Sequence, residues 1–462
     1  MRVNNTMWSE VLVTVVMGTL VYWVFRRTRR KVLKTEDGWW GAGAPPVGGD
    51  DNSIRPFSIS HSQEEMEDLY RRLDATRPVS SLEDSQFHYG MNSQCLAKVV
   101  SYWRRDYDWR RQVDKINQYP HYKTTIEGID VHYVHVKPQS LPVGARTVPI
   151  VLVHGWPGSF YEFYGLIPLL TAAVAPGNTD GPHLEVICPS LPGYGFSGAP
   201  HKKGFNSVCA ARVFNKLMSR LGFQQYYAHG GDWGGLVTTN MAQLEPEAVK
   251  GLHINFAPST SPSVAMVTSL MLGRRFPSLF GFTPFDLQRV FPLKETLLFE
   301  PVRESGYMHI QATKPDTVGR GLNDSPVGLA AYILEKFSTW TDKSFKNLED
   351  GGLTRKFSLD DLLTNVMIYW TSGCIVSSMR FYKENFSELG APHTKVPVYV
   401  PTGVACFPNE LMHAPRLWVK QKYHNLRSYS PMARGGHFAA MEEPGLMAED
   451  LLAFISMTEK KK

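Results

Sequence analysis

From residue 124 onward, short apolar runs alternate with stretches whose apolar positions recur at helical spacing. Residues 149–154, 185–189, 225–228 and 249–256 are runs of strand length, and 161–172 and 208–221 between them have helical periodicity. Such alternation predicts an α/β fold: a mostly parallel sheet with helices on both faces. Residues 124–126 and 129–136 flank Glu127-Gly128 and predict a hairpin ahead of the parallel strands. The pattern resumes with strands at 395–401 and 426–432 and a last helix at 444–457. Between 257 and 394 the chain is mostly helical, rich in proline and aromatics, and is expected to be an insertion that lies over the sheet as a lid. Upstream, 62–76 and 93–117 read as helices, the first acidic at its start and basic at its end, and 36–56 as an irregular Gly/Pro-rich connector.

The N-terminal pattern differs from all of this. Residues 7–25 are almost wholly apolar, close to the roughly 20 residues that span a bilayer as a helix. Trp8, Tyr22 and Trp23 lie near its ends, where aromatic side chains favour the interface. The basic cluster Arg26, Arg27, Arg29, Arg30, Lys31 and Lys34 follows the run, and no small-residue cleavage site does, so a retained single-pass anchor is expected rather than a signal peptide. The positive-inside rule then puts the body of the chain on the cytoplasmic side, where the sequons at Asn323 and Asn385 would stay unglycosylated. That cluster also accounts for the net charge of +6, which leaves a neutral body and argues against a nucleic-acid partner. Five scattered cysteines form no C-x-x-C pair, which suits a reducing compartment; no metal-binding motif occurs, so no metal is expected, and no cofactor is expected either because a nucleophile, a base and water suffice for the candidate chemistry at the strand ends. The expected division is an anchor at 1–25, a connecting region packed on the core at 26–123, core at 124–256, helical lid at 257–394 and core again at 395–462.

Candidate chemistry collects where predicted strands end. Gly230-Gly231-Asp232-Trp233-Gly234 has the frame of a sharp strand-to-helix elbow that lifts one side chain, here Asp232, clear of the sheet. Taken alone, Asp232 reads equally well as a helix N-cap. Gly155-Trp156-Pro157-Gly158 follows another strand, and the N–H of Trp156 with that of Trp233 would make a two-donor oxyanion hole. His437 sits on the glycine loop Gly435-Gly436-His437-Phe438, and Glu410 just beyond a strand; Asp360 and Asp361 compete with Glu410 but read as a solvated helix start. Gly193-Tyr194-Gly195-Phe196-Ser197-Gly198 matches a dinucleotide-binding fingerprint, yet no helix opens there and no acidic residue occurs from 199 to 231, so that reading fails. The order nucleophile, acid, base is that of the α/β-hydrolases. An aspartate nucleophile suits attack on an sp³ carbon, giving an alkyl-enzyme ester that His437, oriented by Glu410, would hydrolyse with an activated water. Epoxides and haloalkanes are the two substrate classes that fit.

With His154-Gly155-Trp156-Pro157-Gly158-Ser159-Phe160, Gly38-Trp39-Trp40-Gly41, the elbow, Gly306-Tyr307-Met308-His309-Ile310-Gln311 and Gly435-Gly436-His437-Phe438, the chain resembles the microsomal epoxide hydrolases over essentially its whole length. Insect juvenile-hormone epoxide hydrolases share many of these motifs, but the insertion is more similar to the vertebrate type. The resemblance implies an α/β-hydrolase fold and proton-donating lid tyrosines at Tyr307 and Tyr382, with Tyr332 and Tyr369 as alternatives among 20 tyrosines. It also implies hydrolysis of lipophilic arene and alkene epoxides to trans-diols, a detoxifying role and an endoplasmic-reticulum membrane location. Two rivals stand beside it: a haloalkane dehalogenase-like hydrolase, and a non-catalytic, membrane-tethered binder of lipophilic ligands.

Overall fold

The computed structural model describes residues 32–138, 147–172, 182–257, 263–388 and 390–460. The apolar run at 7–25 lies outside them, and among the described residues no helix is long and apolar enough to cross a membrane. The core is a nine-stranded sheet in the order β1-β2-β3-β5-β4-β6-β7-β8-β9. Its strands are β1 (Arg55–Phe57), β2 (His121–Ile126), β3 (Ile129–Val136), β4 (Thr147–Val153), β5 (His183–Pro189), β6 (Tyr226–Gly230), β7 (Val249–Ile254), β8 (Thr402–Cys406) and β9 (Leu426–Pro431). The hairpin edge β1–β2–β3–β5 is antiparallel, and β5, β4 and β6 through β9 run parallel. The parallel strands β5, β6 and β8 are buried at every position, because helices cover both faces; that is why they read as unbroken apolar runs. All five cysteines are buried as free thiols.

Four local expectations give way to the structure, and the first is the helix expected at 93–117, which breaks at Asp106-Tyr107-Asp108 into Ser93–Arg105 and Trp109–Ile116. The strand expected at 395–401 forms at Thr402–Cys406 instead, since Pro397 and Pro401 have no N–H to give a ladder; Val398 makes only an isolated bridge to Tyr423. The helix expected at 161–172 divides into a 3₁₀ turn, Phe160–Phe163, and a short helix, Ile167–Thr171, with Pro168 in its first turn. The connector at 36–56 ends in β1, an edge strand that tolerates Pro56.

The helical insertion between β7 and β8 runs from Val264–Leu272 to Ile375–Phe386. Asp360 and Asp361 stand in the first turn of the helix Leu359–Ser372, as expected, but they are half-buried and tie it to its neighbours instead of facing only solvent. Asp360 accepts from Tyr102 Oη at 2.7 Å, and Asp361 takes Lys115 Nζ at 2.8 Å and Tyr161 Oη at 2.7 Å. The same helix, Leu359–Ser372, clamps the loop after β4. Asn365 Nδ2 donates to Pro157 O and Tyr369 Oη to Gly158 O, both at 2.8 Å, and Ser159 Oγ donates to Asn365 Oδ1 at 2.8 Å.

Candidate active site

Five elements converge at the carboxyl edge of the parallel strands. The first is the elbow between β6 and the helix Asp232–Leu244. Asp232 has φ +49°, a conformation that costs a non-glycine residue about 1–3 kcal/mol and persists only where its surroundings impose it. Gly231, not Asp232, is the N-cap, and no side chain caps this helix, so the capping reading of Asp232 falls away. The turn closes because Gly234 packs on β4: a Cβ there would collide with the Val153 carbonyl.

The second element is the loop after β4. His154 is buried, accepts the Leu191 N–H at Nε2 (3.1 Å), and therefore carries its proton on Nδ1, which faces Gly155 O at 3.0 Å. Burial pushes this imidazole down to about 4, with the Gly155 carbonyl opposing, so it is a neutral brace for the loop. A Cβ on Gly155 would strike the Asp232 carboxylate. The loop thereby brings the Trp156 N–H to 2.8 Å from Asp232 Oδ1. The N–H of Trp233 lies in the first turn of the elbow helix, among the donors that no intrahelical carbonyl can satisfy.

The loops after β8 and β9 bring Glu410 and His437 together. Asn409 N–H donates to Gly435 O at 3.1 Å, and His437 N–H to Trp340 O at 2.9 Å. Glu442 accepts the N–H groups of Gly436 and Phe438 at 2.7 and 2.8 Å, fixing the loop on either side of His437. His437 Nδ1 lies 2.5 Å from Glu410 Oε1, and its Nε2 3.4 Å from Asp232 Oδ2. The side chains of His437 and Glu410 are 2% and 4% exposed, that of Asp232 17%, so only the aspartate opens to a ligand. Burial alone would lower the imidazole, but Glu410 and Asp232 outweigh it and hold His437 well above its ordinary value. The two carboxylates on either side of the ring favour its protonated form.

The insertion supplies the fifth element. Tyr307, on the helix Gly306–Thr313, stacks on Trp156 with centroids 5.4 Å apart and planes 6° apart. Tyr382, on Ile375–Phe386, stands edge-on to Tyr307 at 5.9 Å and to Trp233 at 4.8 Å. Burial, and after it neighbouring negative charge that includes Asp232, pushes both phenols up, so both keep their O–H at neutral pH. Tyr369 spends its hydroxyl on Gly158 O, and Tyr332 accepts from Gln311 Nε2 at 3.3 Å.

A family model described as "Epoxide hydrolase N terminus" matches residues 54–163, and one described as "alpha/beta hydrolase fold" matches 148–403. The chain is 56% identical to epoxide hydrolase 1 of Oryctolagus cuniculus, covering 98% of this chain and 99% of that protein. It belongs to the epoxide hydrolase family. Juvenile hormone epoxide hydrolase of Bombyx mori is also similar, at 43% identity over 92% of this chain and 91% of that one. The crystal structure of the Bombyx mori enzyme superposes with a TM-score of 0.85 at 42% identity, covering 92% of this chain and 99% of that chain. Aspergillus niger epoxide hydrolase gives 0.71 at 28% identity, covering 88% and 97%.

In this epoxide hydrolase the structure gathers Asp232, His437, Glu410, the Trp156 N–H, Trp233, Tyr307 and Tyr382 around one point. Among the described residues no group of His, Cys, Asp and Glu is arranged to hold a metal ion. Sequence reasoning missed Glu442, which reads as one of several acids before the last helix, and Asn365, whose role depends on a contact 208 residues away. It also missed Glu162 and Asn255, which line a cavity beside Asp232 and His437.

Proposed function

We propose that this chain hydrolyses lipophilic arene and alkene epoxides to trans-diols in two covalent steps. The observation that carries the reading is the division of labour on Asp232: Oδ1 is held by the Trp156 N–H, and Oδ2 lies 3.4 Å from His437 Nε2 on a side chain that stays 17% exposed. Oδ2 attacks an epoxide carbon from behind the breaking C–O bond, inverting that carbon, which is why the diol is trans. Tyr307 and Tyr382, both kept as O–H, donate to the ring oxygen as it gains charge. Esterification removes the negative charge of Asp232, one of the influences that hold His437 protonated, and the proton His437 gives up replaces the one the tyrosines donated.

Neutral His437 then takes a proton from water as the water attacks the Asp232 carbonyl carbon. The oxyanion forms on Oδ1, against the N–H groups of Trp156 and Trp233; one such donor is worth about 10²–10³ in rate. The intermediate expels the diol oxygen, which takes the proton back from His437, and the regenerated Asp232 carboxyl then passes its own proton to the imidazole to restore the starting state. A halide leaving group has no use for two protonated phenols, so the tyrosine pair favours epoxides over haloalkanes. A binder has no need of a buried acid–base pair behind an aspartate in a strained turn.

Residues 7–25 act as a single-pass anchor that keeps the body at the cytoplasmic face of the endoplasmic reticulum, where lipophilic epoxides partition; the apolar length and the basic cluster after it support this. The role that follows is detoxification of xenobiotic and lipid epoxides. Intact-mass spectrometry of His437→Gln with excess styrene oxide tests the mechanism. The expected result is a stable adduct of one epoxide mass on the peptide containing Asp232; an unmodified protein contradicts it.

A further inference from the structure

The two-step reading leaves one reactant without a seat: the water that hydrolyses the ester. A cavity of about 20 Å³ borders Asp232 and His437. A water needs about 10–15 Å³ and two to four polar partners. The cavity therefore has room for one, and its other polar side chains are Glu162, Asn255, the Trp156 indole and His229, whose Nδ1 already faces His253 Nδ1 at 2.9 Å. Glu162 lies on the 3₁₀ turn Phe160–Phe163, just after the loop that supplies the Trp156 N–H. That turn is pinned by Ser159, whose Oγ accepts from Tyr161 N–H and donates to Asn365. Gly158 presses against the carboxyl so closely that a Cβ would collide with Glu162 Oε2. Yet among the described residues Glu162 has neither a hydrogen bond nor an ion pair for that carboxyl. Asn255, just past β7, is 6% exposed and abuts Gly231, where a Cβ would lie 2.6 Å from its Oδ1. Its amide likewise has no hydrogen-bond partner among the described residues.

An unpartnered carboxyl and an unpartnered amide, aimed into a water-sized space between nucleophile and base, are costly unless something occupies that space. We propose that Glu162 and Asn255 are positioning residues that seat the hydrolytic water, resting on the covalent reading above. The water gives one hydrogen to His437 Nε2 and the other to Glu162, which leaves a lone pair directed at the Asp232 carbonyl carbon. The O–H bond to the hydrogen facing His437 breaks as the O–C bond forms, and the carbonyl electron pair moves onto Oδ1. Burial pushes Glu162 up to about 8, with His437 opposing and Asp232 adding, so at neutral pH the seat adds no third anion beside Asp232 and Glu410.

Rapid-quench single turnover with styrene oxide, following the Asp232 peptide by mass, separates the two steps for wild type, Glu162→Leu and Glu162→Gln. In Glu162→Leu the ester forms at a rate within about twofold of wild type and hydrolyses about tenfold or more slowly, the loss of one such hydrogen bond. Because ester then accumulates, kcat and KM fall together. Glu162→Gln keeps an acceptor and restores hydrolysis to within a few fold. Asn255→Val, a change at the opposite wall, slows the same step alone and decides the matter should Glu162→Leu not fold. Hydrolysis at the wild-type rate in the variants that fold, or equal slowing of both steps without rescue by Glu162→Gln, overturns the seat. Absence of any ester in wild type overturns the covalent reading itself.

Discussion

The sheet edge and the helical insertion hold their functional side chains by different physics. At the sheet edge the backbone does the placing: a positive φ at Asp232, an N–H of Trp156 on its carboxylate, and two loops tied to each other by Asn409 and Gly435. Little can shift there without breaking hydrogen bonds or driving backbone into backbone. In the insertion, Tyr307 and Tyr382 are set by ring packing against Trp156, Trp233 and each other. The insertion is joined to the rest of the molecule by polar ties along Leu359–Ser372 and Ile375–Phe386, the latter through Ser377 to Gly193 O and Tyr194 to Ser378 O, but the two phenols themselves are seated by aromatic rings. The comparison separates a fixed half, which in the proposed mechanism carries the covalent chemistry, from a packed half, which in that mechanism protonates the leaving oxygen. Changes in the two halves should therefore affect different steps.

The largest effect expected is at the nucleophile. Asp232→Ala removes the bond-forming atom, and turnover falls by about 10⁴ or more, measured as diol release. Tyr307→Phe and Tyr382→Phe each slow ester formation by about 10²-fold while leaving ester hydrolysis near wild type, seen in pre-steady-state traces. Equal slowing of both steps would erase the division between the halves. Glu410→Gln acts on the other step and on its pH dependence. Burial lowers His437, and Glu410 is the first of the influences that overcome it. Losing that charge lets His437 shed its proton at lower pH, so the rising limb of ester hydrolysis against pH moves down, while its plateau falls about tenfold as the ring loses its orienting partner. The smallest effect is Asp361→Asn, which weakens the ties to Lys115 and Tyr161; unfolding stability drops about 1–2 kcal/mol and turnover changes by less than about threefold.

The same contrast explains what the sequence made legible. Strands buried on both faces announce themselves as apolar runs, and turns that need glycine announce themselves as glycines, so the elbow, the loop after β4 and the His437 loop were readable residue by residue. β8 begins later than the apolar run suggests, because the prolines that forbid the ladder lie in a run that otherwise looks like strand. The tyrosines carried no local signal: a phenol chosen by packing across the fold looks like any other of the 20, and only family resemblance singled out two. Asp360 and Asp361 looked solvated because their partners are more than 190 residues away in sequence. Glu162 looked like an ordinary polar position in a helix, and only the fold turns it toward Asp232 and His437.

The most direct test of the central claim is a single turnover of excess enzyme with styrene oxide in ¹⁸O-water. The account predicts an unlabelled diol from the first turnover and one ¹⁸O in the peptide containing Asp232, because the aspartate supplies the diol oxygen and water repairs the carboxylate. A labelled diol from the first turnover, with an unlabelled Asp232 peptide, would mean that water opens the epoxide directly and would contradict it.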